Sequence, residues 1–361
     1  MILAYEPIYL KNILGEYKNI GLIFASFHIL ALAMSLLIGT LLDKIKKKNL
    51  LRFFLFFYLP FSYIYLHITK LSHFLLFKAY HGIIATGLWI SGEAHIRTHS
   101  PKGKEVESIA LFDFSGILAL VLGSFVGAML IEKFSFNIFY AISFFAILAL
   151  IFSYRLGDRE EKISGKMKKI ELMKGIKKEI NDLKKNKRFY HHVSFLLLFV
   201  FLSSTFGLIL PLFLKTLEVE LWCIGIIFGI SQIPFLFEGV FATAKNKNRI
   251  LVGGWIMSGI IFLVMFFLKS PKLIFLVSLF LGISFAAISP ILSGRLTRDM
   301  PKTKRGEFTG ILAGLRYICL AVSSLTFGIM ADFLGIRSIF ILNFFLVAVF
   351  LIIARKFLKI N

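Results

Sequence analysis

The sequence predicts an all-α integral membrane protein: two six-helix halves related by a parallel repeat, with about eleven full spans and a truncated first helix. Three observations carry that prediction. Apolar residues make up 58% of the 361-residue chain and mean hydropathy is +0.82, more than a soluble core absorbs. The chain also echoes itself. Pro7–Phe24 (PIYLKNILGEYKNIGLIF) returns at a constant offset of 204 as Pro211–Phe228 (PLFLKTLEVELWCIGIIF), identical at eight of eighteen positions without a gap. PKGKEVE at Pro101–Glu107 returns as PKTKRGE at Pro301–Glu307, nearly the same offset, as a parallel repeat requires. Finally, the basic residues fall on one side of the predicted spans.

Crossing a hydrocarbon layer of about 30 Å takes about 20 apolar residues. Eleven segments qualify: Ile20–Leu42, Phe53–Ile68, Phe74–Ala94, Ile109–Ile131, Phe136–Ser153, Val193–Leu214, Trp222–Ala244, Ile250–Leu268, Leu273–Leu292, Phe308–Ala331 and Ser338–Ala354. A stub at Met1–Leu10 completes twelve. The second copy has a full apolar segment, Val193–Leu210, before Pro211, whereas six residues precede Pro7. Either the start is misassigned or roughly 15 residues of a first helix are absent.

Net charge is +22, from 42 Lys and Arg against 20 Asp and Glu, which invites a nucleic-acid reading. Placement decides against it. With both termini cytoplasmic, inner segments hold 32 of the basic residues and outer loops eight, while Lys78 and Arg316 lie within spans. That is the positive-inside pattern of a multi-pass protein of the cell membrane. Residues 157–188 separate the halves 1–156 and 189–361. In this linker Ile170, Met173, Ile176, Ile180 and Leu183 share one helical face among lysines. Such a stripe fits a basic amphipathic helix on anionic inner-leaflet lipids; a solvated linker helix is the alternative.

Cys223 and Cys319 both fall in spans, so no disulfide framework is indicated. His191 and His192 have no third ligand nearby, and no phosphate-binding glycine loop occurs. No metal, cofactor or nucleotide is expected, and the chain is expected to be a monomer. No nucleophile and base stand at a recognisable spacing, so an enzyme is not expected.

After the first complete span the chain reads Gly39-Thr40-Leu41-Leu42-Asp43-Lys44-Ile45-Lys46-Lys47-Lys48. This resembles the G-x-L-a-D-r-x-G-R-K signature of the major facilitator superfamily, with Lys46 where Gly is usual. Lys78-Ala79-Tyr80-His81-Gly82 resembles the family's R-x-x-q-G motif, with Lys for Arg. Gly116, Gly123 and Gly127 resemble the glycine-rich motif of its antiporters, with Ser124 at the usual Pro. Gly239–Arg249 keeps the second basic loop but has Thr243 where an acidic residue is expected. The resemblance covers essentially the whole chain. It implies a secondary transporter in which two halves rock around a midplane site.

An ionisable group inside a span is expensive and therefore a functional candidate. Asp113 shares a face with Gly116, Leu120, Gly123 and Gly127, and Glu238 lies a turn beyond Pro234. The resemblance makes their helices neighbours across the halves, and two carboxylates in one desolvated site cannot both ionise cheaply. That would suit proton coupling; hydrogen bonding within each bundle is the alternative. Arg316 is expected either to meet Asp43 as a gate pair or to bind an anionic group. Lys78 and His81 are expected to face the cavity together, unless Lys78 snorkels to the surface. Gly39, Asp43, Lys47, Lys48, Glu93 and Arg97 are expected to form a cytoplasmic gate. Glu6, beside Pro7, is expected to be solvated, and His28 to be a core histidine.

The function expected is transport of an unspecified small solute coupled to protons, with export ahead of uptake. A uniporter, or a non-transporting sensor or scaffold, is the alternative.

Overall fold

The computed structural model describes residues 2–42, 45–101, 104–157, 187–299 and 305–358. Within them every regular element is helical, and nine stretches are long and apolar enough to cross a membrane. Hydrocarbon offers no water to an unpaired N–H or C=O, so apolar segments of this length satisfy their backbone as helices. Asp43 and the linker stripe Ile170–Leu183 lie outside the described residues.

An N-terminal bundle comprises α1 (Glu6–Leu14), α2 (Tyr17–Leu42), α3 (Lys47–Tyr58), α4 (Phe61–His67), α5 (Leu71–His99), α6 (Glu105–Phe134) and α7 (Tyr140–Ser153). A C-terminal bundle comprises α8 (Lys187–Ser204), α9 (Leu210–Thr216), α10 (Leu221–Gln232), α11 (Glu238–Thr243), α12 (Lys247–Phe267), α13 (Pro271–Asp299), α14 (Arg305–Leu334) and α15 (Ser338–Leu358). The short first helix reaches Leu14, four residues beyond the expected stub, and stops at Gly15 with φ 75°. Outward side chains such as Leu76, Met129 and Phe333 are exposed and apolar, as lipid-facing residues are.

Two predicted spans are broken where proline withholds an N–H. Phe53–Ile68 becomes α3 and α4, parted at Pro60. Ser143 Oγ donates to the Leu59 carbonyl at 2.5 Å and Ser62 Oγ to the Phe139 carbonyl at 2.6 Å, tying the break to α7. Trp222–Ala244 becomes α10 and α11, joined by a 3-10 turn at Ile233–Phe237 that contains Pro234. Before Pro211, Thr205–Ile209 forms a π turn, and Asn343 Nδ2 donates to Thr205 Oγ1 at 2.8 Å in the core.

The bundles meet along two seams of small residues, which let backbones approach closely. On one, α2 and α14 run antiparallel. A methyl on Gly21 would collide with the Ser324 carbonyl, and one on Gly328 would lie 2.7 Å from the Tyr17 carbonyl. On the other, Gly225 of α10 abuts Ala128 of α6, and Gly229 abuts Ser124 and Phe125. The Tyr5 hydroxyl, just before α1, also presses on Gly225. At the end of the first seam Asp332 reaches from α14 to the first turn of α2. Its Oδ1 accepts the Tyr17 N–H at 2.9 Å and its Oδ2 the Lys18 N–H at 2.7 Å. These donors have no acceptor inside their own helix, and a carboxylate there also meets the positive end of the helix dipole.

Candidate functional site

α1 and α5 bring Glu6 and Lys78 together in the N-terminal bundle. Their exposures are 2% and 3%, and Glu6 Oε1 lies 2.6 Å from Lys78 Nζ. The solvated Glu6 expected beside Pro7 is overturned, because α1 packs inside the protein with Tyr5, Ile8 and Leu10 buried around it. The snorkelling alternative for Lys78 fails for the same reason. Gly82, one turn along α5, leaves room only for the α2 backbone at Phe27 and Ala31, which draws Lys78 beneath Phe24 and Phe27. Its ammonium stands 5.0 Å and 5.3 Å from those ring centroids.

From Lys78 the polar contacts continue. Lys78 Nζ is 3.4 Å from His81 Nδ1, and His81 Nε2 is 3.0 Å from the Tyr58 hydroxyl. An ammonium only donates, so Nδ1 accepts and the Nε2–H is left to donate to Tyr58. The arrangement links α1, α5 and α3 through one ion pair and one imidazole. Adding a proton to Glu6 would leave the Lys78 ammonium buried without its counter-charge, a change worth about 3–5 kcal/mol in comparable buried pairs.

A second constellation opens between α5 and α6. Trp89, Asp113, Gly116, Ile117, Ala119 and Leu120 line a cavity of about 520 Å³. The Trp89 ring, 47% exposed, packs 4.7 Å from Phe112 and so close to Gly116 that a Cβ there would lie 3.0 Å from it. Glu238, at the start of α11 in the other bundle, interacts electrostatically with Asp113, as do Glu93 and Arg97. Asp113 faces the cavity, and among the described residues no hydrogen bond joins it to Glu238.

The remaining candidates are dispersed. Arg316 sits on α14 between Cys319, whose Sγ donates to the Leu197 carbonyl of α8 at 3.1 Å, and Tyr317, whose hydroxyl is 3.4 Å from Thr86 Oγ1 of α5. It thus faces the space between bundles, while Ile318 and Val322 occupy the outward, exposed flank. Among the described residues it makes no ion pair. Of the expected gate, Glu93 and Arg97 do pair, Arg97 Nη2 lying 2.5 Å from Glu93 Oε1 on an exposed helix face, where such pairs contribute little. Gly39 is in the last turn of α2, and Lys47 and Lys48 open α3.

Two ties escaped the sequence reading. His192 Nδ1 lies 2.7 Å from Asp299 Oδ2 and so anchors α8 to the end of α13. Asp332 is the other. A signal for it existed: it follows Glu132 by 200 residues, the offset between PKGKEVE and PKTKRGE, so both acidic residues occupy matching helix ends. His28, expected as a satisfied core histidine, is half-buried, and its Nδ1 has no hydrogen-bond partner among the described residues.

Apolar helices joined along small-residue seams, with ionisable groups held inside, describe a multi-pass membrane protein. A family model of the Major Facilitator Superfamily matches residues 1–324; the chain belongs to that superfamily, and it is a transporter rather than an enzyme. It is 24% identical over 350 residues to an uncharacterized MFS-type transporter of Methanocaldococcus jannaschii, covering 92% of this chain and 87% of the relative. Three solved structures share the fold. A bacterial homolog of the human lysosomal transporter Spinster, inward-facing and unoccupied, superposes with TM-score 0.80 at 12% identity, over 99% of this chain and 93% of that one. The nucleoside transporter NupG gives 0.77 at 13% identity, over 99% and 95%. The xylose transporter XylE from E. coli, partially occluded and inward open, gives 0.72 at 15% identity, over 99% and 94%.

Proposed function

We propose that this protein is a proton-coupled secondary transporter of a small solute, working by alternating access between two repeat-related six-helix halves. The observation that carries the reading is the Glu6–Lys78 pair, 2.6 Å apart in the core. A carboxylate there can accept a proton, and doing so strips Lys78 of its counter-charge. Glu6 adjoins Tyr5, which presses on Gly225 of the other bundle. Charge at Glu6 is thereby linked to closure between bundles: the ionised pair favours the closed contact, and protonation favours its release. The positive-inside count supports both termini, and the Asp113 end of the bundles, at the cytoplasmic face of the cell membrane. Export is the direction proposed, supported by the glycine pattern Gly116, Gly123 and Gly127.

A non-transporting sensor draws support from the sealing of Lys78, but the open cavity at Asp113 favours flux. The deciding experiment uses the full chain in liposomes loaded with a pH dye, with mixed small solutes presented under an imposed proton gradient. Solute-dependent proton movement is expected, with loss in Glu6→Gln. Solute flux with no proton movement would replace this reading with a uniporter, and absence of both with the sensor.

A further inference from the structure

The carboxylate-lined cavity carries more than a place for a solute. It is largely apolar and open on one side, and its volume of about 520 Å³ falls in the range of ligand pockets. Its one charged lining group is Asp113 and its one aromatic wall is Trp89. Two further charges, Glu93 and Arg97, stand one and two turns along α5 from Trp89. Arg97 is already committed to Glu93 at 2.5 Å. Asp113 and Glu238 have neither an ion pair nor a hydrogen bond to any described residue. In a chain of net charge +22, a pocket whose free charges are negative is the exception.

An indole face beside a carboxylate discriminates by charge twice over. The ring quadrupole attracts cations and repels anions, and Asp113 does the same by direct attraction. The apolar lining from Ile117, Ala119 and Leu120 favours a ligand with hydrophobic bulk over an inorganic cation, which would need more oxygen ligands than one carboxylate supplies.

We infer that the α5–α6 cavity binds amphipathic organic cations, with Asp113 as counter-ion and Trp89 as the cation–π wall. The inference deepens the transporter reading by naming a substrate class, but binding at equilibrium needs neither a gradient nor flux.

The test is therefore equilibrium binding of radiolabelled tetraphenylphosphonium to the purified full chain in lipid nanodiscs, with tetraphenylborate as the anion of matching shape. Saturable cation binding is expected, weakened about tenfold or more by Asp113→Asn and severalfold by Trp89→Leu, restored by Asp113→Glu, and not displaced by tetraphenylborate. Equilibrium binding and proton-coupled flux in liposomes are measured separately, so the two readings fail separately. Each variant is first checked for a monodisperse, correctly sized particle; Trp89→Leu keeps the test open should Asp113→Asn not fold. No saturable binding, binding unchanged by both variants, or equal competition by the anion would overturn the assignment.

Discussion

Lys78 survives inside a membrane span because a carboxylate stands 2.6 Å from it, and the consequence is an asymmetry between removing one charge and removing both. Lys78→Ala leaves the Glu6 carboxyl buried without its partner, and a loss of about 3–5 kcal/mol is expected, measured as a fall in the detergent-phase melting temperature. Glu6→Leu with Lys78→Met replaces the pair by apolar groups of similar bulk, and stability close to the wild type is expected. The double variant should nonetheless carry no protons, which separates the structural role of the pair from its proposed coupling role. At this scale the sequence was legible wherever a charge interrupted a long apolar run: Lys78, Asp113, Glu238 and Arg316 all stood out. Glu6 did not, because it sits beside Pro7 in a segment too short to read as a span. Its burial depends on α4, α5 and α9 closing around α1, which no local pattern announces.

The helices themselves were visible in the hydropathy, and what was hidden was how they are cut and joined. Phe53–Ile68 reads as one span, yet Pro60 divides it and side-chain hydroxyls of α4 and α7 bind across the cut. The join between α14 and α2 was equally silent, since Asp332 looks like an ordinary polar residue at the end of an apolar segment. Asp332→Ala removes acceptors from two N–H groups at a helix start, and a cost of about 1 kcal/mol is expected. The same change should widen the gap at that end of the seam. Spin labels at the exposed positions Glu16 and Leu334 should report a larger population at long distance, and Asp332→Glu should reverse it. An unchanged distance distribution would show that the small-residue seam alone holds the end closed.

For the molecule as a whole, the distribution of basic residues supports an orientation that chemistry can check. With Cys223 and Cys319 replaced, Lys133→Cys is expected to react with a membrane-impermeant maleimide applied outside intact cells, and Lys47→Cys only after permeabilisation. The reverse pattern would invert the proposed topology and place the Asp113 cavity at the outer face. Membership of the superfamily was legible from Gly39–Lys48 and Lys78–Gly82, local motifs that survive single substitutions. The expectation that Asp113 and Glu238 share a site came only through that resemblance, because the two stand 125 positions apart.

The Asp332 contact also bears on the order in which the protein is made. Tyr17 and Lys18 leave the ribosome early, whereas the carboxylate that receives their N–H groups follows 315 residues after Tyr17. Until then water at the membrane surface must serve those donors, and the Gly21 face of α2 has no Ser324 or Gly328 to rest on. The first long helix to be synthesised is thus completed by nearly the last, and a nascent chain halted anywhere before α14 leaves it half-dressed, exposed to whatever quality control patrols the bilayer.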